Sequence, residues 1–170
     1  GVSAETLTHA VRRVRAVRGR FSVLRNDRGS VIIDYAHTPD GLENLLRTAR
    51  TLTKSRLITV FGCGGERDRG KRRLMGETAA KFSDFVIVTS DNPRFEDPSR
   101  IIDDITVGIK GTEYKTFVDR TEAIAYAMSE MAEGDTVVIA GKGSEDYLDI
   151  RGKKVPYSDF DTARRWGQVR

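Results

Sequence analysis

Arg94 is the residue around which the chemistry of this chain gathers. It closes the tetrapeptide Asp91-Asn92-Pro93-Arg94, which directly follows the apolar run Phe85-Val86-Ile87-Val88-Thr89-Ser90. A β-branched run that stops at Asn-Pro reads as a buried strand emptying into a turn, because Pro93 fixes its own φ and pushes Asn92 out of the helical region. Arg94 is then presented at a strand end, the edge of an open α/β sheet where ligands bind. A guanidinium fork there suits a carboxylate or a phosphate. Three other loops share that edge: Asp34–Asp40, Gly62–Arg72 and Gly141–Asp146. Together they offer guanidinium donors at Arg67 and Arg94, an amide at Asn92 and an acid at Glu145 that can hold an ammonium group. The matching ligand is a zwitterionic amino acid, and a second carboxylate on it would also find a partner.

Some residues on this edge carry competing readings. Gly65-x4-Gly70-Lys71 has the spacing of a phosphate-binding P-loop between a strand and a helix. Arg72 stands where a Ser or Thr hydroxyl should meet magnesium, and the charged residues Glu66–Arg69 fill the interior where backbone amides should wrap a phosphate. The alternative is a glycine-hinged loop that holds Arg67 over a neighbouring anion. His37 has no metal-ligating partner at useful spacing, which favours an orienting or structural role. Cys63 sits between glycines with no base paired to it, so a packed small residue is the better expectation. Glu145 reads equally as a solvated acid or as a ligand-facing carboxylate after the Gly141-Lys142-Gly143 turn.

The elements that must position these loops alternate in type. Apolar β-branched runs occur at Val31–Ile33, Leu57–Phe61, Phe85–Thr89, Thr116–Val118 and Thr136–Ala140. Helical stripes lie between them: Leu42, Leu45, Leu46, Ala49 and Leu52, opened by Thr38 and Pro39; Leu74, Met75, Ala79 and Phe82; Ile101, Ile102, Ile105 and Ile109, opened by Asp97-Pro98; and Ala123, Ile124, Ala127, Met128 and Met131. Strands apolar on both faces that alternate with helices predict an α/β fold, a Rossmann-like, mostly parallel sheet with helices on both faces. The end of the chain departs from this pattern. Tyr147–Val155 predicts a β-hairpin turning at Arg151-Gly152, followed by a helix capped at Ser158. Ser3 to about Val17, with Leu7, Ala10, Val11, Val14 and Val17 at helical spacing, predicts a leading helix with Ser3 as its N-cap.

A chain of 170 residues is long enough for one full core. The 29 basic residues exceed the 25 acidic ones only slightly, a mild bias toward anionic ligands. No nucleic-acid partner is expected, because the densest basic group, Arg12, Arg13, Arg15, Arg18 and Arg20, has only Phe21 beside it. A single cysteine allows no internal disulfide and fits a reducing compartment. No stretch approaches the ~18 apolar residues of a membrane span, and the first residues lack a signal-peptide pattern. A cytoplasmic monomer with no membrane partner is expected, and the start at Gly1 suggests a piece of something longer.

The set Gly19-Arg20-Phe21, Asp34–Asp40, Gly62–Asp68, Asp91–Arg94 and Gly141–Tyr147 resembles the C-terminal domain of the Mur ligases, in particular those that add the third residue of the peptidoglycan stem peptide. Five motifs in order, across nearly the whole chain, carry the resemblance. It implies an ATP-dependent amide ligase in which a carboxylate of UDP-MurNAc-L-Ala-D-Glu is phosphorylated and the acyl-phosphate is attacked by an incoming amine. It further implies that residues 19–170 are the amino-acid-binding domain. Residues 1–18 would then be a helix or linker from a central domain that binds most of the ATP and Mg2+, and the isolated fragment would be inactive. By position, Arg20, Asp34 and His37 resemble nucleotide contacts, while Arg67, Asp91, Asn92, Arg94, Gly141 and Glu145 resemble the residues that hold meso-diaminopimelate. Arg94 would pair with the distal carboxylate that lysine lacks. Two departures stand out: Ser144 replaces the family's usual His, and Arg73 its usual Pro. The alternatives are a lysine-adding or other relative, a freestanding P-loop phosphotransferase using Gly65–Lys71, and a non-catalytic assembly module.

Overall fold

The computed structural model describes residues 2–13 and 17–167. Three strands, β3 (Leu57–Phe61), β4 (Phe85–Thr89) and β6 (Asp135–Ala140), are buried along their whole length. Their unbroken apolar character follows from packing on both faces. They join β1 (Ser22–Arg25), β2 (Gly29–Asp34) and β5 (Glu113–Phe117) in one sheet of order β1-β2-β6-β3-β4-β5. All neighbours are parallel except the edge strand β1, which runs antiparallel to β2.

Side chains alternate across the pleat, so each strand feeds two cores. On one face Ile32, Phe61, Val86, Val88 and Val138 pack with α2 (Pro39–Leu52), α3 (Gly70–Phe82) and α4 (Pro98–Thr106). On the other, Val31, Ile33, Ile58, Val60, Ile87, Val137 and Ile139 pack with α5 (Arg120–Glu130) and with Phe160 and Ala163 of α6 (Asp159–Gly167). Between β6 and α6 the chain makes the expected hairpin, β7 (Tyr147–Ile150) with β8 (Lys153–Pro156). The mostly parallel sheet covered on both faces, with a C-terminal hairpin and helix, is the architecture read from the sequence.

The helix starts also agree. Thr38 Oγ1 accepts from Gly41 N, Asp97 from Ser99 N, and Ser158 Oγ from Asp161 N. The leading helix α1 (Ala4–Arg13) is capped by Ser3, whose Oγ accepts from Thr6 N. Leu7 on it is exposed; Val14, with the rest of residues 14–16, lies outside the described residues, and Val17 beyond them is exposed and not helical.

Several details differ from expectation. The strand expected at Thr116–Val118 is β5, Glu113–Phe117, and it is almost wholly exposed because it forms the sheet edge, so it is not apolar on both faces. Strand β1 was not anticipated; it buries only Leu24. Leu52 and Leu74 are exposed. Helix α3 turns Arg72, Met75, Gly76 and Ala79 inward, which rotates Leu74 out to solvent. Ile109 is buried but lies beyond the end of α4.

Candidate functional site

Because β6 inserts between β2 and β3, the loops after β2, β6, β3 and β4 stand side by side on the carboxyl edge of the sheet. The turn after β4 is held by the hairpin. Arg94 N donates to Asp149 O at 3.0 Å, Arg151 N donates to Arg94 O at 2.8 Å, and Arg94 forms a parallel bridge with Ile150. Arg94 occupies the left-handed region at φ 51°, which a non-glycine residue adopts only when its surroundings fix it. The hairpin therefore supplies the rigidity that the sequence assigned to Pro93 alone.

Asp91 and Asn92 are buried, and the reason is Lys142. This lysine is completely enclosed, with Nζ 3.0 Å from Asn92 Oδ1, 3.0 Å from Glu145 Oε2 and 3.3 Å from Asp91 Oδ1. Asn92 Nδ2 also donates to Glu145 Oε2 at 3.1 Å, and Asn92 Oδ1 accepts from Asp149 N at 2.9 Å. Asp91, Asn92 and Glu145 thus converge, as anticipated, but around an internal ammonium. A lysine between two glycines reads as an exposed turn residue, so sequence reasoning missed it. Two carboxylates against one ammonium leave the cluster with a formal charge of −1, suited to one incoming cation. Gly141 fits beneath it at φ 117°, where a Cβ would stand 2.9 Å from Asp91 Oδ2. Ser144 is exposed, and the hydrogen bonds that orient Glu145 come from Lys142 and Asn92 rather than from it.

Arg94 reaches the loop after β3, donating from Nη1 to Gly65 O at 2.6 Å. A Cβ built on Gly64 would lie 3.0 Å from Arg94 Nη1 and 3.7 Å from Arg67 Cγ, so the two arginines flank the same glycine. Arg67 itself is exposed. The loop does not work as a P-loop. Gly65 N donates to Asn92 O, Glu66 N to the Glu96 carboxylate and Gly70 N to Asp68 Oδ1, so amides that would wrap a phosphate are already engaged. Lys71 Nζ donates to His37 O, and Arg72 is buried against Glu96 and Asp104. The hydrogen bonds from Arg72, then that from the Glu66 amide, pull the Glu96 carboxyl down to about 2. Cys63 is buried, and burial pushes its thiol up to about 12, which fits a packing role.

The three residues on the β2 side stand together. Arg20 is exposed with its guanidinium carbon 4.4 Å from the Tyr35 ring centroid. Asp34 accepts from Phe21 N and Ala36 N, both at 2.7 Å, one on each oxygen. His37 is exposed, with Nδ1 2.9 Å from Tyr35 O. Beneath the edge, Arg120 is fully buried and pairs bidentately with Asp159 at 2.8 and 2.9 Å. The same guanidinium donates to Ala140 O at 2.9 Å and Ser90 O at 3.4 Å, tying together the ends of β6 and β4 that carry the Lys142 cluster. Sequence reasoning did not find this pair, which shows no local motif.

The chain belongs to the Mur ligases. Residues 19–143 match the family model described as Mur ligase, glutamate ligase domain. Among similar proteins, the UDP-N-acetylmuramoyl-L-alanyl-D-glutamate--2,6-diaminopimelate ligase of Aquifex aeolicus (strain VF5) is 53% identical over 166 residues, covering 96% of this chain and 34% of the relative. That of Syntrophomonas wolfei subsp. wolfei (strain DSM 2245B / Goettingen) is 52% identical over 167 residues, with the same coverage. A solved structure of a ligase of that name superposes with a TM-score of 0.85 at 41% identity, over 98% of this chain and 35% of the other. E. coli FolC in complex with ADP has a TM-score of 0.63 at 22% identity, over 83% of this chain and 32% of the other, a likeness of fold alone. The chain spans about a third of the length of the curated relatives it matches.

Proposed function

We propose that this chain is the amino-acid-accepting domain of an ATP-dependent amide ligase that joins meso-diaminopimelate to UDP-MurNAc-L-Ala-D-Glu in peptidoglycan synthesis. Residues 19–170 form the domain, and residues 1–18 lead into it from a nucleotide-cradling domain elsewhere in the protein. The observation that carries this reading is Arg94, clamped by the hairpin and aimed across Gly64 beside Arg67. This is a rigid cationic fork for the distal carboxylate. The Asp91, Asn92, Lys142 and Glu145 cluster, with its residual negative charge, and Gly141 beside it receive an ammonium group.

ATP supplies the phosphoryl group that activates the acceptor carboxylate. On this chain Arg20 would face its phosphates and Asp34 its ribose, through lone pairs that the two amides leave free, with His37 alongside. Among the described residues no group of three or more His, Cys, Asp or Glu side chains could hold a metal ion. We assign Mg2+ mainly to the rest of the protein. A cytoplasmic monomer is the form we propose; no helix among the described residues is long and apolar enough to cross a membrane.

Lysine in place of diaminopimelate would leave the Arg94 guanidinium without its carboxylate. Losing a charged hydrogen bond costs on the order of 2 kcal/mol, about 30-fold in affinity. Titration calorimetry tests the assignment: diaminopimelate binds the chain, and Arg94→Ala weakens it by about that factor. Equal binding to wild type and variant would remove Arg94 from the site.

A further inference from the structure

Glu96 stands two residues beyond Arg94, on the same turn, and its side chain reaches the loop after β3. Its own amide donates to Pro93 O at 3.0 Å, which closes the turn. Its carboxylate accepts from Arg72 Nη2 at 2.9 Å on Oε1 and from Arg72 Nη1 at 3.1 Å on Oε2. Arg72 is 1% exposed on α3 and is anchored a second time by Asp104, 2.9 Å from Nη1. A buried, forked ion pair therefore fixes the Glu96 side chain, and the same Oε1 accepts from the amide of Glu66. That last bond is the one that bears on the site. Glu66 has φ 52°, a left-handed conformation that costs free energy unless the surroundings hold it. Loop and turn already meet backbone to backbone at Gly65, whose amide donates to Asn92 O and where a Cβ would stand 2.0 Å from Pro93 O. The Glu66 amide is then the final anchor before Arg67, which is exposed.

One turn thus carries Arg94 and, through Glu96, sets where Arg67 leaves its own loop. We infer that Glu96, clamped by Arg72, is a positioning residue: it holds the backbone at Glu66 and so keeps Arg67 beside Arg94, without itself touching the ligand. The inference rests on the reading that Arg67 and Arg94 take a ligand carboxylate. It makes the spacing of the two arginines a property of the buried pair between α3 and the turn, rather than of the exposed residues 67–69. Without the Glu96 carboxylate nothing keeps Glu66 left-handed, and Arg67 loses its place.

A double-variant cycle on diaminopimelate affinity, read by calorimetry on the whole chain, tests it. Arg67→Ala weakens binding by about tenfold, the low end for a hydrogen bond to a charged group. Glu96→Ala weakens it nearly as much, and Arg67→Ala/Glu96→Ala no further than Arg67→Ala alone. Two conservative variants separate reach from charge. Glu96→Asp keeps a carboxylate for Arg72 but is one methylene too short for the Glu66 amide, and it behaves as Glu96→Ala. Glu96→Gln keeps the acceptor for that amide and retains most of the affinity. If circular dichroism shows Glu96→Ala unfolded, Glu96→Asp takes its place in the cycle. Asp104→Asn also takes a carboxylate from Arg72 but leaves the Glu66 bond intact, so it lowers stability and not affinity. Effects of Glu96 and Arg67 that multiply in the double variant would overturn the inference. So would full affinity in Glu96→Ala and Glu96→Asp, or an equal loss in Asp104→Asn. If Arg67→Ala binds as wild type does, or wild type does not bind, the reading of Arg67 as a ligand contact falls and the inference falls with it.

Discussion

Replacing Asp159 by Asn isolates the part of the structure that sets the site in place. Arg120 and Asp159 are both fully buried, joined by two hydrogen bonds, with Tyr157 donating a further one to Asp159 Oδ1 at 3.1 Å. Burial alone would lower the Arg120 pKa, but Asp159 overrides it and raises the guanidinium above its usual range. In Asp159→Asn the arginine stays charged, enclosed and without its counter-ion. Breaking such a pair from one side costs about 3–5 kcal/mol. For a domain of this size that lowers the melting temperature by roughly 6–20 °C, and it shifts the urea midpoint by about 2 M if m is near 2 kcal/mol/M. Circular dichroism against urea and temperature reads both. Arg120→Met/Asp159→Leu removes both charges and recovers most of the loss. A single-variant cost below about 1 kcal/mol, or a double variant worse than either single one, would refute the reasoning.

The other predictions concern the loops around the site. Cys63, with its thiol pushed up to about 12 by burial, stays unmodified by a thiol reagent at pH 8 in the folded chain and reacts at once in denaturant. Glu96, with its carboxyl held at about 2 against an ordinary 4.5, contributes stability that is present above the ordinary value and lost as pH falls from 4.5 toward 2. Acid unfolding of Glu96→Gln is therefore shallower than that of wild type in that window, and identical curves would contradict the ion pair. Lys142→Met leaves Asp91, Asn92 and Glu145 without their central donor. It destabilises the chain by about 3 kcal/mol in urea denaturation, as expected on leaving buried acids unpaired.

Much of this architecture was legible because the central strands are monotonous. Leu57–Phe61, Phe85–Thr89 and Thr136–Ala140 are apolar on both faces for the same reason that they are central, and Thr38, Asp97 and Ser158 cap helices through local chemistry. The edges were harder. Ser22–Arg25 buries one side chain and Glu113–Phe117 almost none, so their patterns carry little hydrophobic signal. At the site, Arg94 and Asn92 could be placed on the sheet edge from turn chemistry and strand position, whereas Asp91 entered only through the family resemblance and Glu145 read equally as a solvated acid. Lys142 could not be read, because a lysine between glycines looks solvated until the hairpin is folded over the turn. Arg120 and Asp159 are 39 residues apart and meet only in the folded chain.

The central claim is that diaminopimelate is gripped at the carboxyl edge of the sheet by the turn, the Lys142 loop and the hairpin. Amide chemical-shift mapping of the 15N-labelled chain with diaminopimelate tests it most directly. The account predicts shifts confined to Gly64–Arg67, Asn92, Arg94, Gly141–Glu145 and Asp149, absent with lysine at the same concentration. Shifts centred on the opposite end of the sheet, around Arg25–Gly29 and Gly134, or an equal response to lysine, would contradict it.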